Sequence, residues 1–280
     1  MVHSRRERRY GAIRLAGSLA VLAVMLFPVY WMVISGLKGT EGTLFHEPPY
    51  LYPPNADWRE LLNVVRTYGK GLVNSVVISS IAVAITAVVC VPGAYALAKL
   101  GVGRRINYAI LLALLVVQAL PTIMLVAPLF ETAAHLQLVN HYFTIGVLDS
   151  MYAVPFAVLI LRAYMLKLPE ELREAALIDG ATEVQIFSRV MLPNSKPGVG
   201  TILLFAFLFA WGDFIFGLTF TNGTSVAPVT VSLYELIGTY AVSWQTLMAL
   251  STVLAVPAVI VVLVFQRFLQ QGVTGFGMEK

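Results

Sequence analysis

Charge is scarce in this chain. Of its 280 residues only 12% are Asp, Glu, Lys or Arg, whereas 58% are hydrophobic and the mean hydropathy is +0.79. That balance excludes a soluble globular domain and points to a polytopic membrane protein. Cysteine is almost missing too. Cys90 stands alone, so no internal disulfide can form, and its place within an apolar run makes it a small packing residue rather than a reactive thiol. His3, His46, His135 and His141 lack metal-ligand spacing, and no Ser, His and acid combination sits in a catalytic context. No catalytic residue and no metal site is expected. The chain also lacks a Gly-x-x-x-x-Gly-Lys-Ser/Thr sequence, so it does not cradle nucleotide phosphates in the P-loop manner.

What the chain has instead is long apolar runs. A helix needs about 20 apolar residues to cross the hydrocarbon core, and such runs occur at 15–37, 72–98, 106–130, 143–161, 199–220 and 247–265. Asp149 falls in the fourth and Asp213 in the fifth, both near ends expected to face outward, where water or head groups satisfy a carboxylate. The expectation is therefore an all-α integral membrane protein with six transmembrane helices.

Basic residues orient these spans. Arg5, Arg6, Arg8, Arg9 and Arg14 precede the first run; Lys99, Arg104 and Arg105 follow the second; Arg162, Lys167, Arg173, Arg189 and Lys196 follow the fourth; Arg267 and Lys280 close the chain. The third and fifth loops carry no Lys or Arg. By the positive-inside rule both termini and the fourth loop are cytoplasmic. The first outer loop balances Lys38, Arg59, Arg66 and Lys70 against Glu41, Glu47, Asp57 and Glu60, and its PPYLYPPN stretch is semi-rigid. The net charge of +4 and pI near 9.2 sit where topology puts them, so the basic arm meets anionic lipid, not nucleic acid. The run after that arm is too long for a signal-peptide core and has no small-residue cleavage site, which makes it the first membrane helix.

The fourth loop, LPEELREAALIDGATEVQIFSRVMLPNSKP, is unusually long and polar for its setting. Pro169 suits a first helical position, with Glu170 and Glu171 at the positive end of the helix dipole. Leu172, Ala175, Ala176 and Asp179 recur at helical spacing and form a narrow face of small residues, while Glu171, Arg173 and Glu174 face elsewhere. Gly180 suits a left-handed helix end, Thr182 with Gln185 reads as a capping box opening a second helix, and Pro193 and Pro197 are expected to stop it. Spacing alone leaves two readings open: a surface helix packing on its own protein, or a helix shaped for a groove on another.

Glu174, Ala175, Ala176, Gly180, Leu192 and Pro193 resemble the EAA loop of membrane-spanning subunits of bacterial ATP-binding-cassette (ABC) importers. Val190 stands where that pattern favours isoleucine. Trp211 to Phe214 (WGDF) is similar to a Trp-Asn-acid-Phe segment of the same family, with Gly212 departing from the asparagine. The stretch from Gln266 to Gly277, with Gly272, Thr274 and Gly275, resembles its C-terminal tail, although Phe276 to Lys280 depart from the usual ending. Together these features resemble the second permease subunit of a maltose-type carbohydrate importer. The resemblance implies that the EAA helices sit in grooves of two cytoplasmic ATPase subunits, which bind ATP and Mg while this chain binds no cofactor. Glu174 would pair with a basic residue of the groove, Ala175 and Ala176 would make its close contact, Gly180 would supply the bend, and Gly272, Thr274 and Gly275 would reach the ATPase dimer. It further implies a homologous permease partner, an extracytoplasmic solute-binding protein, and residence in a bacterial plasma membrane.

Within the spans, polar residues mark the candidate substrate path: Gln118, Tyr152, Trp211 and Asp213, with Asp149 beside them. Pro92, Pro121, Pro128, Pro155 and Pro257 are expected to kink the helices, and Ala94 and Ala98 to allow close helix contact. The fifth loop, about 222–244, joins a flexible NGTSVAP segment to Tyr234, Tyr240 and Trp244, which serve as belt residues or meet the binding protein. The domain expectation is a basic arm at 1–14, a permease domain at 15–267 containing the EAA loop at 167–198, and a tail at 268–280. Three other readings are an ion-coupled secondary sugar transporter, an importer of a non-sugar solute such as a glycerophosphodiester, and an assembly or regulatory membrane protein. Neither inverted repeats nor midmembrane carboxylates are evident to favour the ion-coupled one.

Overall fold

The computed structural model describes residues 5–39, 46, 49–221, 223–238 and 243–274. Regular structure among them is helical throughout. The main helices are α1 (Arg5–Gly36), α2 (Trp58–Lys99), α3 (Arg104–Ala119), α4 (Thr122–His135) and α5 (Tyr142–Leu166). Then come the short α6 (Glu171–Ile178), α7 (Glu183–Ile186) and α8 (Leu192–Asn194) of the polar loop. They are followed by α9 (Lys196–Trp211), α10 (Ile215–Thr221), α11 (Val229–Gly238) and α12 (Trp244–Thr274).

Four of these contain stretches long and apolar enough to cross a membrane alone: Ile13–Gly36, Trp58–Lys99, Tyr142–Leu166 and Trp244–Phe268. The other two expected spans are not single helices. The run at 106–130 is divided between α3 and α4, which meet at 96°, and that at 199–220 between α9 and α10, which meet at 52°. The spans therefore number four, or six if each bent pair crosses once. The first break has a local cause. Leu120 precedes Pro121, whose ring disfavours helical backbone in its neighbour, and Leu120 is extended at φ −76°, ψ 125°. Pro92, Pro128, Pro155 and Pro257, expected to act alike, lie inside uninterrupted helices.

The chain forms two compact units. In the first, Met1–Tyr68 with Glu235–Ala255, the Thr246 hydroxyl donates to Glu60 at 2.7 Å and Lys38 Nζ lies 4.1 Å from the Trp31 ring centre. Its α1 is apolar yet almost uncovered, with 6% of the span window buried, as suits a helix solvated by lipid. Arg5 to Arg14 belong to that same helix.

The second unit, Gly69–Tyr234 with Val256–Lys280, holds the core. One cluster joins Cys90, Ala94 and Tyr95 of α2, Leu161 and Met165 of α5, Ile186 and Met191 of the polar loop, and Ile202 of α9. Cys90 is fully buried there, as the sequence suggested. A second cluster gathers Ile78, Val126, Ile145, Leu148, Phe216 and Phe220. Apolar side chains gain little by leaving lipid for protein, so such clusters hold through close van der Waals packing. Gly146 shows how close: a Cβ there would lie 2.6 Å from Cγ2 of Ile81.

Two features of the fifth loop differ from expectation. Much of it is helix α11, and the NGTSVAP segment is fastened, since Asn74 Nδ2 donates to the carbonyls of Ser225 and Ala227 at 3.0 and 2.8 Å. The Tyr142 hydroxyl donates to Asn74 Oδ1 at 2.8 Å, which fixes that amide. Asn222 and Tyr240 lie outside the described residues.

Candidate functional site

The polar loop is built from local signals that its sequence carries. Helix α6 ends in a Schellman turn: Gly180 has φ +79°, its N–H donates to Leu177 O, and the Ala181 N–H donates to Ala176 O, both at 3.0 Å. Only glycine enters that backbone region without strain. Thr182 then caps α7, its hydroxyl accepting from Gln185 N at 3.4 Å while the Gln185 side chain accepts from Thr182 N at 2.9 Å.

Pro193 does not stop the second helix. A π turn at Phe187–Met191 intervenes, in which the Leu192 N–H reaches back to Phe187 O, and the helix continues through α8. The wider turn accommodates Pro193, which has no N–H to donate. The Asn194 side chain donates to Val190 O at 2.7 Å, so that carbonyl is satisfied as well.

Ionic contacts pin this loop to the end of α2. Lys99 Nζ, on a side chain 5% exposed, donates to Leu168 O at 2.9 Å and to Glu170 at 2.8 Å. Arg173 spans the two short helices, meeting Glu170 at 3.3 Å and also Glu183, which accepts from the Tyr95 hydroxyl at 2.9 Å. Lys99 beside Glu170, joined by Arg173, holds that carboxyl below the usual glutamate range. Arg173 and the Tyr95 hydroxyl do the same to Glu183, and Glu183 in turn raises Arg173. Arg173 thus faces inward, which helical spacing alone did not indicate.

The opposite face is open. Glu171, Leu172, Glu174 and Ala175 are exposed, and so are Ile178 and Val184, at 86% and 74%. Ala176 and Leu192 instead pack inward on the first core cluster, and Pro193 is exposed. The loop therefore presents a carboxylate and apolar side chains outward from a fastened base. In the tail, Gly272 and Thr274 fall within α12, while Gly275 and Phe276 to Lys280 lie outside the described residues.

Inside the second unit the two helix breaks meet a cavity of about 140 Å³ lined by Thr122, Asp149, Tyr152, Phe209, Asp213 and Phe216. Thr122 opens α4 directly after the first break. Asp213 lies in the second break and caps α10, accepting from Phe216 N at 3.3 Å and Gly217 N at 2.9 Å. Asp149 is 5% exposed. Asp149, buried, and Asp213, half-buried, thus line one cavity. Of the four path candidates, Tyr152 and Asp213 line the cavity. Trp211 does not; it is buried and stacks on Phe207 at 5.5 Å. Gln118 is exposed near the end of α3.

A helical chain with several apolar spans, bent helices around a cavity that two carboxyl groups line, and a polar loop fastened to the bundle is a multi-pass membrane transport component. More particularly, residues 90–275 match the model of the binding-protein-dependent transport system inner membrane component, and the chain belongs to that family of permease subunits, which are not themselves enzymes. It is 30% identical over 275 residues to the sulfoquinovosyl glycerol transport system permease protein of Agrobacterium fabrum, covering 95% of this chain and 93% of that one. It is 28% identical over 274 residues to the trehalose/maltose transport system permease protein of Thermococcus litoralis, covering 94% and 95%. Among solved structures, a bacterial ABC transporter involved in the import of the acidic polysaccharide alginate shares its fold. That match has a TM-score of 0.78 and 22% identity, covering 95% of this chain and 99% of that one.

Proposed function

We propose that this chain is the permease subunit of an ATP-driven importer that carries a carbohydrate into the cell. It pairs with a homologous permease and rests on two ATPase subunits that bind ATP and Mg, while an extracytoplasmic binding protein delivers the sugar. The observation that carries the coupling role is the fastened loop. Force from an ATPase groove moves a helix usefully only if that helix is tied to the membrane bundle, and Lys99, Glu170, Arg173 and Glu183 supply the tie. Glu174, Ala175 and Gly180 then stand at the docking face and its bend, Ala176, Leu192 and Pro193 support them, and Gly272, Thr274 and Gly275 approach the ATPase dimer. Both termini and the loop at 167–198 are cytoplasmic in this reading, with the basic arm against anionic lipid. The sugar class is supported by the names of the two relatives. Proteoliposomes containing this chain, its partner permease, the ATPase subunits and the binding protein should accumulate a radiolabelled saccharide only with ATP inside the reach of the ATPases. Accumulation driven equally well by a proton or sodium gradient without ATP would overturn the proposal.

A further inference from the structure

The segment that follows α10 runs from an exposed tip back into the second unit and is bonded at both ends. Gly223 and Ser225 are exposed, whereas Val226, Pro228, Val229 and Val231 are buried. At the tip end, Asn74 of α2 is 3% exposed and donates through Nδ2 to the carbonyls of Ser225 and Ala227, while its Oδ1 accepts from the Tyr142 hydroxyl of α5. Beside it the Val229 N–H donates to Ser75 Oγ at 3.0 Å. The backbone is wedged as well: a Cβ at Gly71 would lie 3.2 Å from Val229 Cα, and one at Gly217 2.5 Å from Cγ of Pro228. The other end reaches the break between α9 and α10. In an unbroken helix Asp213 O would accept from Gly217 N. Here that amide donates to the Asp213 side chain at 2.9 Å, and the freed carbonyl accepts from the Thr230 hydroxyl at 2.6 Å. An interrupted membrane helix needs its loose carbonyls satisfied, and this one is satisfied by a side chain from the outer segment. Tip and break are thus joined through one short, fastened stretch of chain.

We propose that residues 223–230 form a strut that carries contact with the extracytoplasmic binding protein from the exposed tip to this helix break, with Asn74 and Thr230 as its positioning residues. The proposal rests on the reading of the chain as a binding-protein-dependent importer with this loop outside the cell, and adds how the loop reaches the membrane interior. A loose tip would absorb a partner's push by local rearrangement. The Asn74 amide, itself held by Tyr142, instead gives the Ser225 and Ala227 carbonyls one position. Thr230 passes that position to Asp213, whose side chain caps α10 and lines the cavity. One residue therefore joins the strut, the start of α10 and the cavity wall, so a displacement of Thr230 changes the bend between α9 and α10, which is 52° in this structure. Coupling between two sites needs an element that both of them bias. The bent helix pair is that element in this proposal.

The test measures ATP hydrolysis by the complete transporter in lipid nanodiscs as its binding protein, saturated with a mixture of di- and trisaccharides including maltose and trehalose, is titrated in. Thr230→Val keeps the side-chain shape and drops the hydroxyl. It should lower maximal stimulation by about fivefold, the worth of one net hydrogen bond, with basal hydrolysis and the half-stimulating concentration of binding protein unchanged. Thr230→Ser should restore the stimulation. Asn74→Leu frees the tip and should instead raise the half-stimulating concentration by about fivefold or more. Wild-type stimulation in Thr230→Val would overturn the strut and leave the import reading standing, as would an equal fall in basal and stimulated hydrolysis, the mark of a merely structural bond. Absence of any stimulation in wild type would remove the import reading and the strut with it. A second measurement uses the unaltered protein and so covers failure of a variant to assemble. Adding the saturated binding protein should change hydrogen exchange severalfold at the Val229 amide and also at the Phe216 and Gly217 amides, which Asp213 caps. A change at Val229 with none at Phe216 and Gly217 would overturn the strut.

Discussion

Replacing Gly180 separates backbone conformation from contact, because no atom lies within 4 Å of the place a Cβ would take and φ is +79°. The cost of any side chain there is purely conformational. A residue with a Cβ loses about 1–2 kcal/mol in the left-handed region, asparagine less because it visits that region readily, and a β-branched residue the most. Stability of the turn should therefore fall in the order Gly180→Asn, Gly180→Ala, Gly180→Val. A loss of about 2 kcal/mol for valine corresponds to roughly a thirtyfold rise in the opened turn. Hydrogen exchange reads this directly at the amide of Ala181, which is closed onto Ala176 O in the intact turn. Import per ATP hydrolysed should decline in the same order, while membrane insertion is unaffected. Equal protection of the Ala181 amide in the valine and asparagine variants would refute the conformational argument. Equal import per ATP across the series would refute the role of the turn in coupling.

Arg173→Met removes the contact to Glu183 between the short helices and the one to Glu170 at the start of its own helix; because Glu170 and Glu183 are 44% and 40% exposed, the loss is set at about 1 kcal/mol, measured as faster proteolysis within 171–194. The same contacts give the loop a pH dependence. Glu170 and Glu183 have folded-state values below the ordinary range, so their stabilisation is complete above the unfolded value of about 4.3 and is lost as pH falls through the lowered ones. Limited proteolysis of the loop should accelerate only in that acid window, and an acceleration centred near pH 7 would contradict the assignment. Single cysteines at Ser225 and Val184, both exposed, in a Cys90→Ala background should react with an impermeant reagent from opposite sides of the membrane. Reaction of both from outside would invert the orientation.

Much of the loop was legible because its signals are local. The left-handed Gly180 and the Thr182–Gln185 capping box each lie within a turn of the residues they serve. Its fastening was not legible, since Lys99 meets Glu170 across 71 residues and Tyr95 meets Glu183 across 88, and no helical period records such pairs. The apolar runs located the membrane helices and Pro121 marked the first bend, but hydropathy sums over residues and is blind to direction, so the break at Gly212 to Phe214 was not visible as one. Asp213 was visible as a costly residue within an apolar run, whereas its work as the cap of α10 depends on a helix end that the run concealed. Asp149 was visible in the same way, without its burial. Its burial comes from packing by elements distant in sequence.

Glu174 tests the central claim most directly, since it is exposed on the fastened loop and the account gives it a basic partner in an ATPase groove. A carboxylate paired in a partly desolvated groove leaves an uncompensated charge when its sign is changed, at a cost on the order of 3 kcal/mol or more; an exposed one costs almost nothing. Purifying the Glu174→Lys transporter in detergent through a tag on the partner permease and weighing the ATPase recovered with it measures the difference. The account predicts that the two permease subunits remain together and the ATPase subunits are lost. A full complement of ATPase, with hydrolysis still stimulated by the substrate-loaded binding protein, would contradict it.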